Sequence, residues 1–191
     1  VCWCVIVIFT VICVSADALG EDFPQPPDTE KASDRPMLPE EVCKSAILPP
    51  GFQLSVFAAE PDVRNPIAIT TDDRGRLWVA ENYTWAGDDA GNFDLSLRDR
   101  VVILEDTDGD GHADTFRDFL DGLNLVTGVE FGYGGVFVLN PPYLLFYPDK
   151  NGDDVPDSDP EVLLTGFGLE DAQAMSSHLT WGPDGWLYGV N

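Results

Sequence analysis

Two acidic loops that repeat in register constrain the fold of this chain more than any other feature. The first loop carries side-chain oxygens at Asp106, Asp108, Asp110 and Asp114, and the second carries them at Asp149, Asn151, Asp153 and Asp157. The loops align without a gap, 43 residues apart, and each follows an apolar segment. A repeat of about 40–50 residues built from short strands is typical of a β-propeller or another array. The sequence therefore predicts a repeated β-architecture.

The oxygens of the first loop have the spacing of a calcium-binding loop. Side-chain oxygens occupy relative positions 1, 3, 5 and 9, the carbonyl of His112 stands at position 7, and Gly111 stands at position 6. Calcium takes about six to eight oxygen ligands, and alternate positions of a tight loop converge on one centre. We therefore predict a structural calcium ion in this loop. The alternative is a solvated Asp/Gly-rich hairpin, since both residue types suit tight turns.

Two positions depart from the EF-hand form of such a loop. Position 12 of the first loop is Arg117, where an EF-hand has a bidentate glutamate. The flanking segments are also strands rather than helices, so the loop is not that of a sensor protein. In the second loop Asp154 replaces the glycine of position 6, which makes this loop the weaker calcium candidate.

Apolar residues at period two predict an all-β fold with one short helix. The helix is expected over residues 39–46, and the strands over residues 52–59, 66–70, 76–81, 101–105, 115–120, 126–131, 135–140, 143–147, 161–164, 178–181 and 186–190. Four strands per repeat fit the blades of a propeller, of which about two and a half are present. The alternative is a β-sandwich, which has less reason to repeat its loops in register.

The chain is expected to have three parts. Residues 1–18 predict a signal peptide, because a short apolar run ends in small residues; a buried strand and a membrane anchor are the alternatives. Residues 19–47 form an acidic, proline-rich tether and the short helix, and residues 48–191 form the propeller part. Once the signal is removed Cys43 is the one cysteine left, so no disulfide framework is predicted. These features indicate an exported protein, periplasmic or at the cell surface.

The net charge limits the classes of partner. The formal charge is −24, from 34 acidic and 10 basic side chains. Nucleic-acid binding requires clustered lysine and arginine, so a nucleic-acid partner is not expected.

Five segments, taken in order, resemble a known family. They are Leu48-Pro-Pro-Gly-Phe-Gln-Leu, Ala58-Ala-Glu-Pro-Asp-Val-Arg-Asn-Pro66, Gly75-Arg-Leu-Trp-Val-Ala-Glu-Asn-Tyr83, Asp99-Arg-Val-Val-Ile-Leu-Glu-Asp-Thr-Asp-Gly-Asp-Gly111 and Trp181-Gly-Pro-Asp-Gly-Trp-Leu-Tyr-Gly189. Over residues 38–191 the chain resembles the start of a membrane-bound dehydrogenase domain of planctomycete and verrucomicrobial bacteria. That domain is similar to the six-bladed propellers of soluble glucose and sorbosone dehydrogenases.

The resemblance implies an exported oxidoreductase. Its substrate would be a sugar or another alcohol, pyrroloquinoline quinone (PQQ) would be the first electron acceptor, and a haem domain would lie beyond the present C-terminus. The full-length protein could then associate with a membrane. The rival hypothesis is a non-catalytic, calcium-stabilised propeller that binds glycans or proteins at the cell surface.

The resemblance also bears on a catalytic base. Many relatives carry histidine directly after the acidic pair that matches Glu170-Asp171, but here Ala172-Gln173-Ala174 follows. Glutamine cannot act as a general base at neutral pH. His178, just before the next strand, is the nearest substitute. Its alternative role is that of a strand-edge histidine bonded to the backbone.

Two further sets of residues are candidates for specific positions. Glu81 and Asn82 end an inner strand, where polar groups facing a propeller channel would lie; a turn is the alternative. The tryptophans Trp78, Trp181 and Trp186 lie on strands and are expected to pack the blades rather than to form a sugar platform.

Overall fold

The computed structural model of the chain describes residues 35–85, 93–94, 96–169 and 175–190. Its elements are α1 (Pro39–Ser45), β1 (Pro66–Thr71), β2 (Leu77–Glu81), β3 (Asp99–Glu105), β4 (Thr115–Leu123), β5 (Gly128–Gly132), β6 (Gly135–Asn140), β7 (Tyr143–Pro148), β8 (Glu161–Thr165), β9 (Ser177–Trp181) and β10 (Leu187–Val190). The chain divides into two units, residues 1–37 and 38–191. The predicted signal peptide and residues 19–34 of the tether lie outside the described residues. The predicted all-β class is confirmed.

The strands form three antiparallel sheets. β1–β4 make one four-stranded sheet in sequential order, β5–β8 make a second in the same order, and β9 pairs with β10 as a hairpin. The segments that precede the two acidic loops, β3 and β7, each occupy the third place of their sheet, as predicted. Each acidic loop therefore connects the third strand to the fourth.

One predicted strand, over residues 52–59, is wrong. The segment is extended but belongs to no sheet among the described residues. Its backbone bonds to the first acidic loop through the Phe57 carbonyl, which accepts a hydrogen bond of 2.8 Å from the backbone N–H of Ala113. Alternating apolar residues predict a half-buried strand, but a strand also requires a neighbour to complete its hydrogen bonds.

The hydrophobic core lies between the first and second sheets. Its buried members are Trp78, Ala80, Val101, Ile103, Phe119, Leu123, Val126, Val129, Val136, Val138, Leu145 and Tyr147. Alternate residues of β2 and β3 point to the opposite face, where Val79, Val102 and Leu104 pack against Phe57 and Ala58. Both faces of the two inner strands, β2 and β3, are therefore covered, whereas Ile67 and Ile69 of the edge strand β1 are exposed.

The tryptophans differ in their environments. Trp78 is buried at the centre of the core, with its ring 4.2 Å from that of Phe131. Trp181 packs against Phe137 at 5.8 Å, so the predicted packing role is confirmed for these two residues. For Trp186 it is wrong, because 72% of this residue is exposed. Trp186 precedes the first residue of β10 and therefore stands in the turn instead of on the packed face.

The short helix α1 is explained by the residues at its own N-terminus. It starts with Pro39 at its first position, followed by Glu40 and Glu41 in its first turn. The Glu41 carboxylate accepts a hydrogen bond of 3.3 Å from the backbone N–H of Leu38. Proline and acidic residues both favour a helix N-terminus. Within the described residues, no helix has the length and apolar character needed to cross a membrane.

Candidate metal centre

The first acidic loop joins β3 to β4 and brings three carboxylates together. Asp106, Asp108 and Asp114 each offer an oxygen within 4.8 Å of the others. The loop closes where the backbone N–H of Asp114 donates to the Glu105 carbonyl over 2.9 Å. Two unit charges at such a separation repel by roughly 3 kcal/mol at an effective dielectric near 20. Three carboxylates that converge in this way can hold a cation.

Backbone N–H groups hold the first of these carboxylates in place. Asp106 accepts hydrogen bonds from the N–H groups of Gly109 at 2.7 Å, Gly111 at 2.8 Å and Asp110 at 3.2 Å. Gly109 and Gly111 both have positive φ, which is how the loop turns its N–H groups inward. The bond from Gly111, with those from its neighbours, lowers the pKa of Asp106 below the ordinary carboxyl value. Asp106 is therefore ionised at neutral pH.

The carboxylate of Asp114 is oriented by Thr107. The Thr107 hydroxyl lies 2.8 Å and 3.0 Å from its two oxygens, and the Thr107 N–H donates over 3.1 Å. The hydroxyl of Thr107 is the main cause that lowers the pKa of Asp114. The two ends of the loop thus present ionised oxygens before any cation binds.

Two other predicted ligands are placed differently. Asp110 lies outside the group of three carboxylates and accepts a hydrogen bond of 2.8 Å from the backbone N–H of His112. His112 is exposed, and the predicted use of its carbonyl as a ligand stays a prediction.

The second loop, between β7 and β8, repeats these hydrogen bonds at matching positions. Asp149 accepts from Gly152 at 2.9 Å and Asp153 at 3.2 Å, as Asp106 does from Gly109 and Asp110. Asp157 accepts from the N–H of Lys150 at 2.8 Å, as Asp114 does from Thr107. The alignment made from the sequence therefore extends to individual bonds.

The loops differ at position 3, where Asn151 replaces Asp108. Its carbonyl oxygen accepts from the Asp153 N–H at 3.1 Å, but its amide also donates to the Asp153 carboxylate over 2.9 Å. This loop therefore has one carboxylate fewer and uses an oxygen of Asp153 internally. These differences make it the poorer cation site.

The two residues that depart from the EF-hand pattern form an ion pair with each other. Arg117, at position 12 of the first loop, donates over 2.6 Å to the carboxylate of Asp154, at position 6 of the second loop. Asp154 has φ of 67°, in the left-handed region that the equivalent Gly111 also occupies. An aspartate at such a position is strained relative to glycine. Its ion pairs offset that strain.

Asp154 is the centre of a buried charge cluster. Only 5% of it is exposed, and Arg76 of the β1–β2 turn contacts its two oxygens at 2.7 Å and 2.8 Å. Arg76 also pairs with Asp72 at 2.8 Å, and Arg74 lies 4.0 Å from Asp154. The hydrogen bonds between Arg76 and Asp154 lower the pKa of the Asp154 carboxyl and raise the pKa of the Arg76 guanidinium. The second loop is thereby fixed to the first sheet.

Glu81 and Asn82, predicted to face a channel, are instead both buried. Glu81 accepts from the N–H of Arg64 at 2.8 Å, from the Tyr83 hydroxyl at 2.5 Å and from Arg100 at 2.5 Å. Asn82 donates to the carbonyl of Val126 over 2.8 Å. These bonds hold the end of β2 in place, which is a structural role.

Sequence reasoning missed Asp99, which organises the same region. It is fully buried and accepts from the N–H groups of Tyr83 at 2.7 Å, Thr84 at 2.8 Å and Val126 at 2.9 Å. The Thr84 hydroxyl donates over 2.8 Å to Oδ2, the oxygen that also accepts from Val126. Asp99 is the first residue of β3 and belongs to no motif, so the sequence does not mark it. Arg117 and Asp154 are marked in the sequence because they depart from the EF-hand calcium-loop pattern.

His178 lies exposed on β9, away from the calcium-type loops in sequence. Its Nδ1 is 3.1 Å from the hydroxyl of Ser177, so the bonded partner found here is a side chain and not the backbone. His178 has φ of 57°, which is uncommon for a non-glycine residue within a strand. Gln173, which stands where many relatives carry histidine, lies outside the described residues.

Comparison with known protein families finds a match over most of the chain. Residues 38–191 match the model of a family described as "Domain of unknown function (DUF7133)". No curated protein and no solved structure matches the chain.

Proposed function

The chain belongs to the DUF7133 family, and from its geometry we propose that it is an exported, calcium-stabilised propeller domain. The observation that supports calcium most directly is the convergence of Asp106, Asp108 and Asp114 within 4.8 Å. Calcium–oxygen distances of about 2.3–2.6 Å allow ligand oxygens on opposite sides of the ion to lie about 5 Å apart. The three carboxylates are compatible with one such shell.

The donor set favours calcium over other common ions. All three converging groups are carboxylates, whereas zinc sites are built mainly from histidine and cysteine. Magnesium demands a tighter octahedron and retains several waters. The His112 carbonyl, a rotated Asp110 and water would supply the remaining oxygens. Because the loop is exposed and lacks the bidentate glutamate, we expect the weak affinity of extracellular calcium modules, about 10⁻⁴–10⁻³ M.

Calorimetric titration of the full chain with calcium tests the metal proposal. Asp108→Ala should weaken binding at least tenfold, while Asp108→Asn, which keeps an oxygen, should weaken it less. Asp159→Asn is the matched control, because it removes the same charge from an exposed position of the second loop. If both Asp108 variants bind as the wild type does, or if the wild type does not bind, the loop is a solvated turn.

The propeller arrangement is supported by the repeated sheets. Two four-stranded meanders in the same strand order pack through one core, and both carry the acidic loop after the third strand. A six-bladed ring would continue this order around a central axis. A crystal structure of the full-length protein tests it: successive sheets should be related by a constant rotation. Two sheets that face each other as a closed sandwich would contradict the proposal.

A second proposal is that the full-length protein oxidises a sugar or another alcohol, with His178 taking the hydroxyl proton. It is supported by the strained backbone of His178, since residues held at uncommon φ cluster at functional sites. PQQ, when bound, supplies the hydride acceptor in dehydrogenases of the resembled type. A cavity of about 360 Å³ beside Asp154 is lined by four aspartates and two arginines, a poor match for the three carboxylates of that quinone. We therefore derive no step through it in the described residues.

Dye reduction by the full-length protein separates this proposal from a purely binding propeller. With quinone and calcium present, some member of a broad alcohol panel should be oxidised, and His178→Asn should abolish the reaction. His112→Asn is the control, because it changes the same residue type at another exposed position and keeps the backbone carbonyl that the calcium proposal uses. If no alcohol is oxidised, the glycan- or protein-binding alternative is preferred. Recovery of the mature protein outside the cytoplasm would support export through residues 1–18.

A further inference from the structure

The second acidic loop contains the one asparagine of the chain that is followed by glycine, Asn151-Gly152. In such a pair the backbone nitrogen of glycine can attack the side-chain amide carbon of asparagine, because glycine has no side chain to hinder the approach. The other asparagines that have a following residue precede proline, which has no N–H, or the bulky residues tyrosine, phenylalanine and leucine. The sequence therefore singles out Asn151 for reaction with its own backbone.

The folded loop leaves this pair open to water and orients its reacting groups. Asn151 is exposed, and its amide oxygen accepts a hydrogen bond of 3.1 Å from the Asp153 N–H, which polarises the amide carbonyl. The amide nitrogen, which would leave, donates to the Asp153 carboxylate over 2.9 Å. The Gly152 N–H donates to Asp149 over 2.9 Å. That bond lies in the peptide plane, whereas attack uses the electrons above the plane, so it does not block the reaction.

We propose that Asn151 is a site of spontaneous deamidation. The Gly152 nitrogen forms a bond to the side-chain amide carbon of Asn151, and its proton passes through water to the amide nitrogen. The bond between that nitrogen and the carbon breaks, and ammonia leaves. Water then adds to the cyclic imide and opens it, which leaves an aspartate or an isoaspartate. The reaction consumes one water and releases one ammonia, and nothing is oxidised or reduced.

The product gives the second loop the acidic pattern of the first. The first loop has Asp108 at this position, and deamidation places a carboxylate at the same position of the second loop. It also removes the amide group that occupies an oxygen of Asp153. Both features that make the second loop the poorer cation site are thereby lost. Stronger cation binding by the converted loop rests on the calcium proposal, whereas the conversion itself does not.

Incubation of the purified full chain at neutral pH, followed by peptide mass spectrometry, tests the conversion. The peptide that contains Asn151 should gain the mass difference between an amide and an acid, at least about tenfold faster than the peptide that contains Asn124, which precedes leucine. Asn151→Gln is the control, because it keeps the amide but places it one carbon further from the backbone nitrogen, and it should stay unconverted. The proposal is wrong if the folded chain keeps Asn151 while the urea-unfolded chain converts it, or if Asn124 reacts as fast.

Calorimetric titration of Asn151→Asp with calcium tests the consequence separately. This variant should bind more calcium than the freshly purified wild type, because its second loop has gained a carboxylate. Conversion of Asn151 without any gain in calcium binding by Asn151→Asp would overturn the consequence for the second loop. Failure of the wild type to bind calcium at its first loop would overturn the calcium proposal and leave the mass-spectrometric result to decide the deamidation.

Discussion

Substitution of Asp154 by asparagine should strongly destabilise the domain. The carboxylate is buried and pairs with Arg76 through two bonds and with Arg117 through one. Asparagine is nearly isosteric and tolerates positive φ, so the backbone of the second loop can stay as it is. The substitution therefore removes the charge with little change in shape.

The magnitude follows from the burial of the partner. Arg76 is only 4% exposed and keeps a single carboxylate, that of Asp72, after the change. Removing one member of a buried ion pair costs about 3–5 kcal/mol, because the remaining charge stays desolvated. The loss is a large share of the roughly 5–15 kcal/mol that stabilises a typical domain.

Urea denaturation at pH 7 with calcium held constant measures the effect. Asp159→Asn removes a charge from the exposed part of the same loop and should change the free energy of unfolding by less than about 0.5 kcal/mol. In an Arg117→Met background, Asp154→Asn should cost about 1 kcal/mol less, because the two side chains interact. If Asp154→Asn has the same urea midpoint as the wild type, the cost of burying the charges cancels the free energy gained from their pairing. The charge cluster then does not hold the second loop to the first sheet.

The remaining predictions concern the loops and β9. Chelation of calcium should lower the thermal midpoint of the wild type, because a ligand about 100-fold above its dissociation constant stabilises by roughly 2.7 kcal/mol; for Asp108→Ala, melts with and without chelator should coincide. Because the folded pKa values of Asp106 and Asp154 are lowered, their contribution to stability should be complete above about pH 4 and lost as the pH falls further, which acid denaturation followed by circular dichroism measures. His178→Gly should raise the free energy of unfolding by about 1 kcal/mol by relieving strain and should abolish any alcohol oxidation, and an unchanged stability would contradict the strain. Asp99→Asn should lower the free energy of unfolding by about 2–4 kcal/mol, because the new amide group would face backbone N–H donors. Urea denaturation measures this loss, and an unchanged free energy of unfolding would contradict the role given to Asp99.

The sequence alone predicted the local features of this protein well. Strands and loops were predictable because their determinants lie within a few residues: period-two burial fixes a strand, and the carboxylate of Asp106 bonds to N–H groups up to five positions ahead. The match between the two loops is present in the sequence for the same reason.

Only the tertiary structure showed what remote residues do. Asp154 and Arg76 are 78 positions apart in the chain, and packing of the two sheets brings them together. Packing also buries Glu81, leaves Trp186 exposed and gives residues 52–59 no strand to pair with among the described residues. Burial and ion pairing depend on which surfaces meet, and a local pattern carries no information about the opposing surface.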